Sequence, residues 1–167
     1  MSTPYKVCSY PIEVDLAKVV YNDLPTIQVD VVYNRPVSSR YQLNNVSDSV
    51  NVFKNVFPDG EINYREVFQI LFIGPDNRLL GWDNVFYGGS SRITVDPKII
   101  FQKVLAISCQ GIVIGHNHPM ASSEPSNRDI EFTSVIKQLC ELLDIVLLDH
   151  IILGEVDYFS FTQNGLL

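Results

Sequence analysis

A short apolar run at residues 111–115 constrains the fold of this chain more than any other segment. It contains no polar or charged side chain, so it predicts a central strand that is covered on both faces. The run leads directly into His116, Asn117, His118 and Pro119. Because α/β sheets commonly place their sites at the carboxyl ends of strands, we expect both histidines at such an edge.

His116 and His118 have the spacing that places two side chains on the same side of a strand. Asp129 follows after ten intervening positions, where the next loop can bring a carboxylate back to them. Three nitrogen and oxygen ligands leave one position of a tetrahedral Zn²⁺ open, as hydrolytic zinc sites require. The alternative is a pair of solvated loop histidines. The spacing, the returning carboxylate and the stiffening effect of Pro119 favour the zinc site.

The segment from Ser126 to Asp129 also matches a capping box, because it stands directly before an apolar helical pattern. In that interpretation both side chains only satisfy exposed backbone N–H groups. A helix start is also a rigid platform for a ligand, so the two roles are compatible. We expect Asp129 to be a metal ligand and Ser126 to contact the developing oxyanion, with capping alone as the alternative.

Two further roles depend on the surroundings of the zinc site. His150 lies beside Asp149 in an apolar run, and a fourth protein ligand would close the site, so we interpret His150 as a hydrogen-bonded core or supporting histidine. Hydrolysis by zinc-bound water also needs a carboxylate that takes and returns its proton. Spacing alone leaves that carboxylate open among Glu61, Glu66, Asp76, Asp83 and Glu124.

Length and composition indicate one globular domain. The 167 residues are 46% hydrophobic and 19% charged, and we expect a single domain over residues 1–167, with residues 1–45 as an N-terminal extension. The 12 Lys and Arg stand against 19 Asp and Glu, giving a net charge of −7. Since no basic cluster occurs, direct nucleic-acid binding is disfavoured.

The cysteines and apolar runs favour a reducing, cytoplasmic setting. The three cysteines form no Cys-x-x-Cys pair, and Cys109 and Cys140 are predicted to be buried reduced thiols. The N-terminal residues lack the pattern of a signal peptide, and no apolar run reaches the length of a membrane span. We therefore expect a cytoplasmic protein without a membrane segment, and the oligomeric state stays open.

Helical and extended patterns alternate along the chain, which predicts a mixed α/β (α+β) fold with helices packed on a mixed sheet. Val67–Ile73 and residues 79–85, joined by a turn, predict a hairpin. Further strands are expected at residues 28–33, 145–148, 150–153 and 158–161.

Helices are predicted at residues 14–21 and after Ser47, Asp96 and Ser126, three residues that can cap a helix start. Their apolar stripes are predicted to lie in the core. The stripes of the last three helices are Val50, Phe53 and Phe57; Ile100, Phe101, Val104 and Leu105; and Phe132, Val135, Ile136, Leu139 and Leu143.

Several separated motifs occur in the order found in one known family, and the sequence resembles the RadC-like branch of the JAB/MPN (JAMM) metalloproteases. The similarity covers roughly residues 60–167 and is weaker before residue 45. The matching segments are Arg65-Glu66-Val67-Phe68, residues 88–97, His116-Asn117-His118-Pro119, Pro125-Ser126-Asn127-Arg128-Asp129, Asp149-His150-Ile151-Ile152 and Tyr158-Phe159-Ser160-Phe161.

The resemblance implies roles for five residues. His116, His118 and Asp129 would hold zinc, Glu66 would be the general base and acid, and Ser126 would help to polarise the scissile carbonyl. It also implies the JAB fold, a curved mixed sheet flanked by helices and related to the cytidine-deaminase arrangement.

The sequence departs from the family pattern in two respects. Met120 and Ala121 replace the Ser-Gly that many relatives have after the proline, which is expected to affect loop shape and substrate fit without removing a ligand. The chain also has no room for the helix-hairpin-helix segment of longer RadC proteins, so the DNA-repair association is expected to transfer poorly.

Three functions remain as hypotheses. The leading one is a zinc-dependent hydrolase of a peptide, isopeptide or small amide bond. The alternative is a noncatalytic metal-binding module that assists DNA repair or another process through a protein partner. A deaminase is disfavoured because the chain lacks the Cys-x-x-Cys zinc pair.

Overall fold

A five-stranded mixed sheet organises the residues that this computed structural model describes, which are 41–58, 60–88 and 95–167. Its strands are β1 Val67–Ile73, β2 Leu79–Tyr87, β3 Gly111–Asn117, β4 Val146–Leu153 and β5 Tyr158–Ser160, in the spatial order β2-β1-β3-β4-β5. The pair β3–β4 is parallel, and the other neighbours are antiparallel. The predicted mixed α/β class is confirmed. The helix and strand predicted at residues 14–21 and 28–33 lie outside the described residues.

Strand β3 is central and buried along its whole length, as predicted. One face of the sheet packs on α1 (Val46–Val56), where Phe53 contacts the apolar cluster that includes Val113. The other face packs on α2 (Pro97–Ile107) and α3 (Asn127–Leu142), whose buried side chains surround Ile112 and Ile114. The strand continues two residues beyond the predicted run, so His116 and Asn117 are part of it.

The predicted β1–β2 hairpin is confirmed. A short 3₁₀ turn, Pro75–Asn77, joins the strands, and Asp76 and Asn77 both have positive φ values, of 58° and 53°. Aspartate and asparagine tolerate this left-handed conformation better than most residues, which suits them to the turn. Strand β2 extends to Tyr87, two residues further than predicted.

One helix start differs from the prediction. Asp96 caps α2, with Pro97 as the first helical residue, as expected. Helix α1, however, is capped by Asn45 and not by Ser47. Asp48 lies three residues after Asn45 and its carboxylate accepts from the Asn45 N–H at 3.2 Å, which completes a reciprocal capping box. Ser47 is followed at that position by a valine, which offers no acceptor.

The predicted apolar stripes were wider than the surfaces that the helices bury. Leu105, Val135 and Leu143 are exposed, at 55%, 46% and 38%, so their assignment to the core was wrong. Helix α3 buries Thr133, Ile136 and Cys140, while Phe132 and Leu139 pack at the margin of the core. Cys109 is also buried, so both cysteines lie in the core as predicted.

The strands predicted at residues 145–148 and 150–153 form one strand, β4. Asp149 does not interrupt it, because its carboxylate accepts hydrogen bonds from the His150 N–H, the Ser160 hydroxyl and the Thr162 N–H. A buried carboxylate is tolerated when it is bonded in this way. Strand β5 ends at Ser160, one residue earlier than predicted. Within the described ranges, no helix has the length and apolar character needed to cross a membrane.

Candidate metal centre

The structure brings His116, His118 and Asp129 together at the carboxyl end of β3. The Nε2 atoms of the two histidines are 3.1 Å apart. Asp129 Oδ1 lies 3.4 Å from His116 Nε2, and Asp129 Oδ2 lies 3.7 Å from His118 Nε2. His116 is buried, whereas the other two are half-buried, so the group lies where the carboxyl end of β3 meets solvent.

These distances fit a metal ion. Ligand atoms held at about 2.0–2.1 Å from a tetrahedral ion are separated by roughly 3.3 Å. The two histidine nitrogens, and the Asp129 oxygen nearer to each of them, have separations close to that value, and one ligand atom from each residue lies within 4.8 Å of the others. Two imidazoles and one carboxylate suit zinc and other first-row divalent ions. The group of His116, His118 and Asp129 can therefore hold a metal and leave one tetrahedral position for a small molecule.

Hydrogen bonds orient both imidazoles. His118 Nδ1 lies 3.0 Å from the carbonyl oxygen of Ser122, and since a carbonyl only accepts, Nδ1 must carry the proton. In the neutral ring, Nε2 then presents a lone pair to the site. His116 Nδ1 lies 3.0 Å from Nε2 of His150, which is fully buried. The interpretation of His150 as a hydrogen-bonded histidine behind the site is confirmed.

Burial and neighbouring charges shift the pKa values of the three residues in different directions. Burial lowers the pKa of His116 to about 4, although the negative charge of Asp129 opposes the shift. The same carboxylate raises the pKa of His118, against the effect of partial burial. Burial also acts to raise the pKa of Asp129, but His118, His116 and Ser126 outweigh it and hold that pKa well below its usual range. Asp129 is therefore anionic and His116 neutral at pH 7, as metal ligands must be.

Ser126 caps α3 through a complete capping box with Asp129. Its backbone N–H and its hydroxyl both donate to Asp129 Oδ2, at 2.8 and 2.6 Å. Oδ1 remains directed toward His116. The capping interpretation is confirmed, and it coexists with a carboxylate placed for metal binding. Ser126 is exposed at the edge of the group.

Glu66 lies immediately before β1, the neighbour of β3. Phe68 is the register partner of His116, so side-chain alternation places Glu66 on the same face of the sheet as His116. Its negative charge makes a small contribution to the raised pKa of His118, after the larger effects of Asp129 and Ser122. The structure therefore brings half-buried Glu66 to the same end of the sheet as the histidines.

The other carboxylates that the spacing left open have different surroundings. Glu61 forms a two-point ion pair with Arg65 at 2.8 Å, and Asp83 pairs with Lys103. Asp76 lies in the β1–β2 turn, at the opposite end of β1 from the histidines. Glu124 is exposed in the loop between His118 and α3.

Asn117 is a site residue that the sequence reasoning missed. Its side chain is fully buried on the opposite face of β3 from His116. Its Oδ1 accepts from the Val67 N–H at 2.7 Å, and its Nδ2 donates to the carbonyls of Ile62 and Arg65 at 2.7 and 2.9 Å. Asn117 thus ties the segment that carries Glu66 to the strand that carries His116. A polar residue at the end of an apolar strand was the available signal, but its partners are 50 to 55 positions away.

The residues after His118 form a tight loop against the β4–β5 turn. Met120, one of the two departures from the family pattern, has a positive φ of 53° and is 78% exposed. A Cβ atom at Gly154 would lie 2.9 Å from the backbone nitrogen of Ser123 and 3.2 Å from the carbonyl oxygen of Ala121. Glycine at this position therefore permits the close approach of the loop whose Ser122 carbonyl orients His118.

Comparison with known proteins agrees with the fold. The sequence profile described as the RadC-like JAB domain matches residues 43–166. The chain belongs to the RadC-like JAB domain family. The resemblance noted from the motifs is confirmed, and the five-stranded mixed sheet with its helices is consistent with the JAB fold.

Curated relatives in this family include three named UPF0758 protein. The protein from Aquifex aeolicus (strain VF5) is 40% identical over 129 residues, which cover 77% of this chain and 54% of the relative. Those from Haemophilus ducreyi and Chlorobaculum parvum are each 38% identical over 104 and 103 residues, covering 47% and 46% of their own lengths. The chain thus spans about half the length of the curated relatives it matches, and their shared name states no activity.

Proposed function

We propose that this RadC-like JAB domain is a zinc-dependent hydrolase of an amide bond in a peptide, an isopeptide or a small amide. The observation that carries the proposal is the convergence of His116 Nε2, His118 Nε2 and the Asp129 carboxylate, with separations of 3.1–3.7 Å. Three protein ligands with an open fourth position are typical of catalytic zinc sites, whereas structural sites are closed by a fourth protein ligand.

The roles of the surrounding residues follow from their positions. A divalent ion held by the three ligands would lower the pKa of a bound water toward about 7 and polarise the scissile carbonyl. Glu66, at the same sheet edge, would accept a proton from the attacking water and return it to the leaving nitrogen. The Ser126 hydroxyl, at the exposed rim, would turn from Asp129 to the developing oxyanion.

The charge of the chain supports a substrate other than nucleic acid. With a net charge of −7, it is expected to repel a phosphate backbone, so we propose no direct nucleic-acid contact. A reducing cytoplasmic setting remains our expectation for the free, buried Cys109 and Cys140.

Metal analysis followed by hydrolysis assays tests the proposal. Untagged protein purified without chelator should contain about one zinc per chain, and His118→Ala should lose it. A panel of fluorogenic peptide and isopeptide substrates should then identify turnover. Glu66→Gln should keep its zinc while turnover falls roughly 10²–10⁴-fold, because the amide cannot accept the proton. Glu124→Gln, which changes an exposed carboxylate in a neighbouring loop, is the matched control and should retain turnover.

Two results would overturn the proposal. Undiminished zinc in His118→Ala would show that the metal binds elsewhere. Full turnover in Glu66→Gln would remove the proton-transfer role assigned to that carboxylate. Zinc binding without hydrolysis across the panel would instead favour the noncatalytic module that acts through a protein partner.

A further inference from the structure

A series of three hydrogen bonds, two of them buried and the third part-buried, runs behind His116 to helix α3. His116 Nδ1 lies 3.0 Å from His150 Nε2, and His150 Nδ1 lies 2.6 Å from Thr133 Oγ1. The Thr133 hydroxyl donates to the backbone carbonyl of Asp129 at 2.5 Å. His116, His150 and Thr133 are exposed by only 3%, 0% and 2%, so water has little access to the two bonds that His150 makes.

The carbonyl oxygen at the end of the series determines which atom donates and which accepts in each of its hydrogen bonds. A carbonyl oxygen can only accept, so the single hydroxyl proton of Thr133 points to Asp129. Thr133 Oγ1 must then accept from His150, which places a proton on His150 Nδ1. Neutral His150 therefore has a lone pair on Nε2 and accepts from His116 Nδ1–H. The opposite direction would leave two oxygens 2.5 Å apart with no proton between them.

We propose that His150 and Thr133, hereafter the support pair, are positioning residues that hold His116 in its Nδ1–H tautomer. The Nε2 atom of His116 is thereby left unprotonated and directed toward His118 and Asp129. This inference rests on the proposed role of His116 as a metal ligand. Partners that fix the tautomer and orientation of a ligating histidine typically change metal affinity 10–100-fold when removed.

The support pair also connects two ligands that belong to different elements. His116 is on β3 and Asp129 is in the first turn of α3, and the series ends on the backbone of Asp129 itself. The ring of His150 is stacked on Phe161, with ring centroids 4.7 Å apart and an angle of 18° between the planes. This packing restricts rotation of the His150 ring, so its two nitrogens keep their separate partners.

Histidine NMR tests the tautomer assignment without any metal. The chain has three histidines, and all three belong to the metal group or the support pair. Untagged, metal-free protein labelled with ¹⁵N-histidine therefore gives three ring systems in a long-range ¹H–¹⁵N spectrum. We expect His116 and His150 to carry their protons on Nδ1 in the native chain and in Thr133→Ser, which keeps the hydroxyl. An Nε2–H form of His150 in the native chain would overturn the inference.

The isosteric Thr133→Val removes the acceptor from His150 Nδ1. His150 should then shift toward the Nε2–H form and donate to His116 Nδ1, which moves the His116 proton to Nε2. A purely structural role for Thr133 would lower stability but leave both tautomers unchanged, and that result would contradict the proposal. If Thr133→Val does not fold, the spectra of the native chain and of Thr133→Ser still decide the matter.

Zinc affinity provides a second measurement. Competition with a chromophoric chelator should show roughly 10–100-fold weaker zinc binding in Thr133→Val and a change within about threefold in Thr133→Ser. Thr162→Val is the matched control, because Thr162 also donates its hydroxyl to a backbone carbonyl, that of Leu148, but outside the site. It should leave zinc affinity unchanged. Equal affinity in Thr133→Val and the native chain would overturn the inference.

The two proposals fail in different ways. If the native chain binds no zinc, the proposed hydrolase is refuted, while the tautomers of His116 and His150 still report on the support pair. If zinc binds but Thr133→Val leaves the tautomers of His116 and His150 unchanged, the metal site is supported and the positioning role of the support pair is refuted.

Discussion

Replacing Asn117 by alanine removes three hydrogen bonds that join residues 62–67, hereafter the Glu66 segment, to β3. The bonds are 2.7–2.9 Å long, and the Asn117 side chain is fully buried. The substitution leaves the Val67 N–H and two carbonyls, those of Ile62 and Arg65, without their partner. We expect a loss of stability and a loosened start of β1.

The magnitude follows from the number of bonds. A net contribution of about 1 kcal/mol for each hydrogen bond gives a loss of about 3 kcal/mol in the free energy of unfolding. With a denaturant slope of roughly 1–3 kcal/mol per molar urea, the unfolding midpoint should fall by roughly 1–3 M. Asn117→Asp keeps an acceptor for Val67 but places an acid oxygen against the two carbonyls, so a comparable loss is expected.

The assay is urea unfolding in the presence of a chelator, because bound metal would add its own stabilisation. Amide hydrogen exchange should accelerate at Val67 in Asn117→Ala. Asn84→Ala is the control: the Asn84 side chain accepts from Gln69 and donates to the Val56 carbonyl on the same face of the sheet, without contacting the Glu66 segment. It should lose stability while the exchange rate at Val67 stays unchanged.

A stability of Asn117→Ala within about 0.5 kcal/mol of the native chain would refute this reasoning, since that is the range of an ordinary surface substitution. Normal protection of the Val67 amide in a destabilised Asn117→Ala would show that the loss arises elsewhere in the core.

Three further predictions concern packing, thiols and pH. Gly115→Ala should lower the free energy of unfolding by about 1–3 kcal/mol, because the added Cβ would lie 2.9 Å from two ring carbons of buried Phe53. An unchanged urea midpoint would contradict this prediction. Burial raises the pKa of Cys109 to about 11 and that of Cys140 to about 12, so at pH 8 mass spectrometry should detect their alkylation by iodoacetamide only after unfolding, and rapid labelling of the native protein would contradict it. Folding raises the pKa of His118, so the protonated imidazole stabilises the folded, metal-free protein. This stabilisation is complete at pH values below 6.5, the ordinary pKa of histidine, and it is lost as the pH rises through the pKa of His118 in the folded protein. Thermal unfolding with chelator from pH 6 to 9 should therefore show this loss, His118→Gln should reduce it, and an equal pH response in both proteins would refute it.

Local patterns in the sequence determined much of the framework. The apolar run before His116 predicted a central strand, and strand alternation predicted that His116 and His118 share one side. The Ser126–Asp129 spacing predicted the capping box that starts α3. These features depend on residues within a few positions of one another, where backbone geometry alone sets the relation between side chains.

Burial on the helices was less predictable, because an apolar stripe shows which residues can enter a core and not how wide the opposing surface is. Leu105, Val135 and Leu143 continue their stripes but are exposed. Polar Thr133 enters the core instead, because its hydroxyl finds both a carbonyl and a histidine there.

The tertiary structure alone decided which distant polar groups support the site. His150 meets His116 across 34 positions of sequence, and Asn117 meets the Val67 N–H across 50. It also placed Glu66 on the His116 face of the sheet, through the register that pairs Phe68 with His116. Hydrogen-bond partners of this kind depend on strand order and register, which arise from packing of the whole core, so no short stretch of sequence contains them.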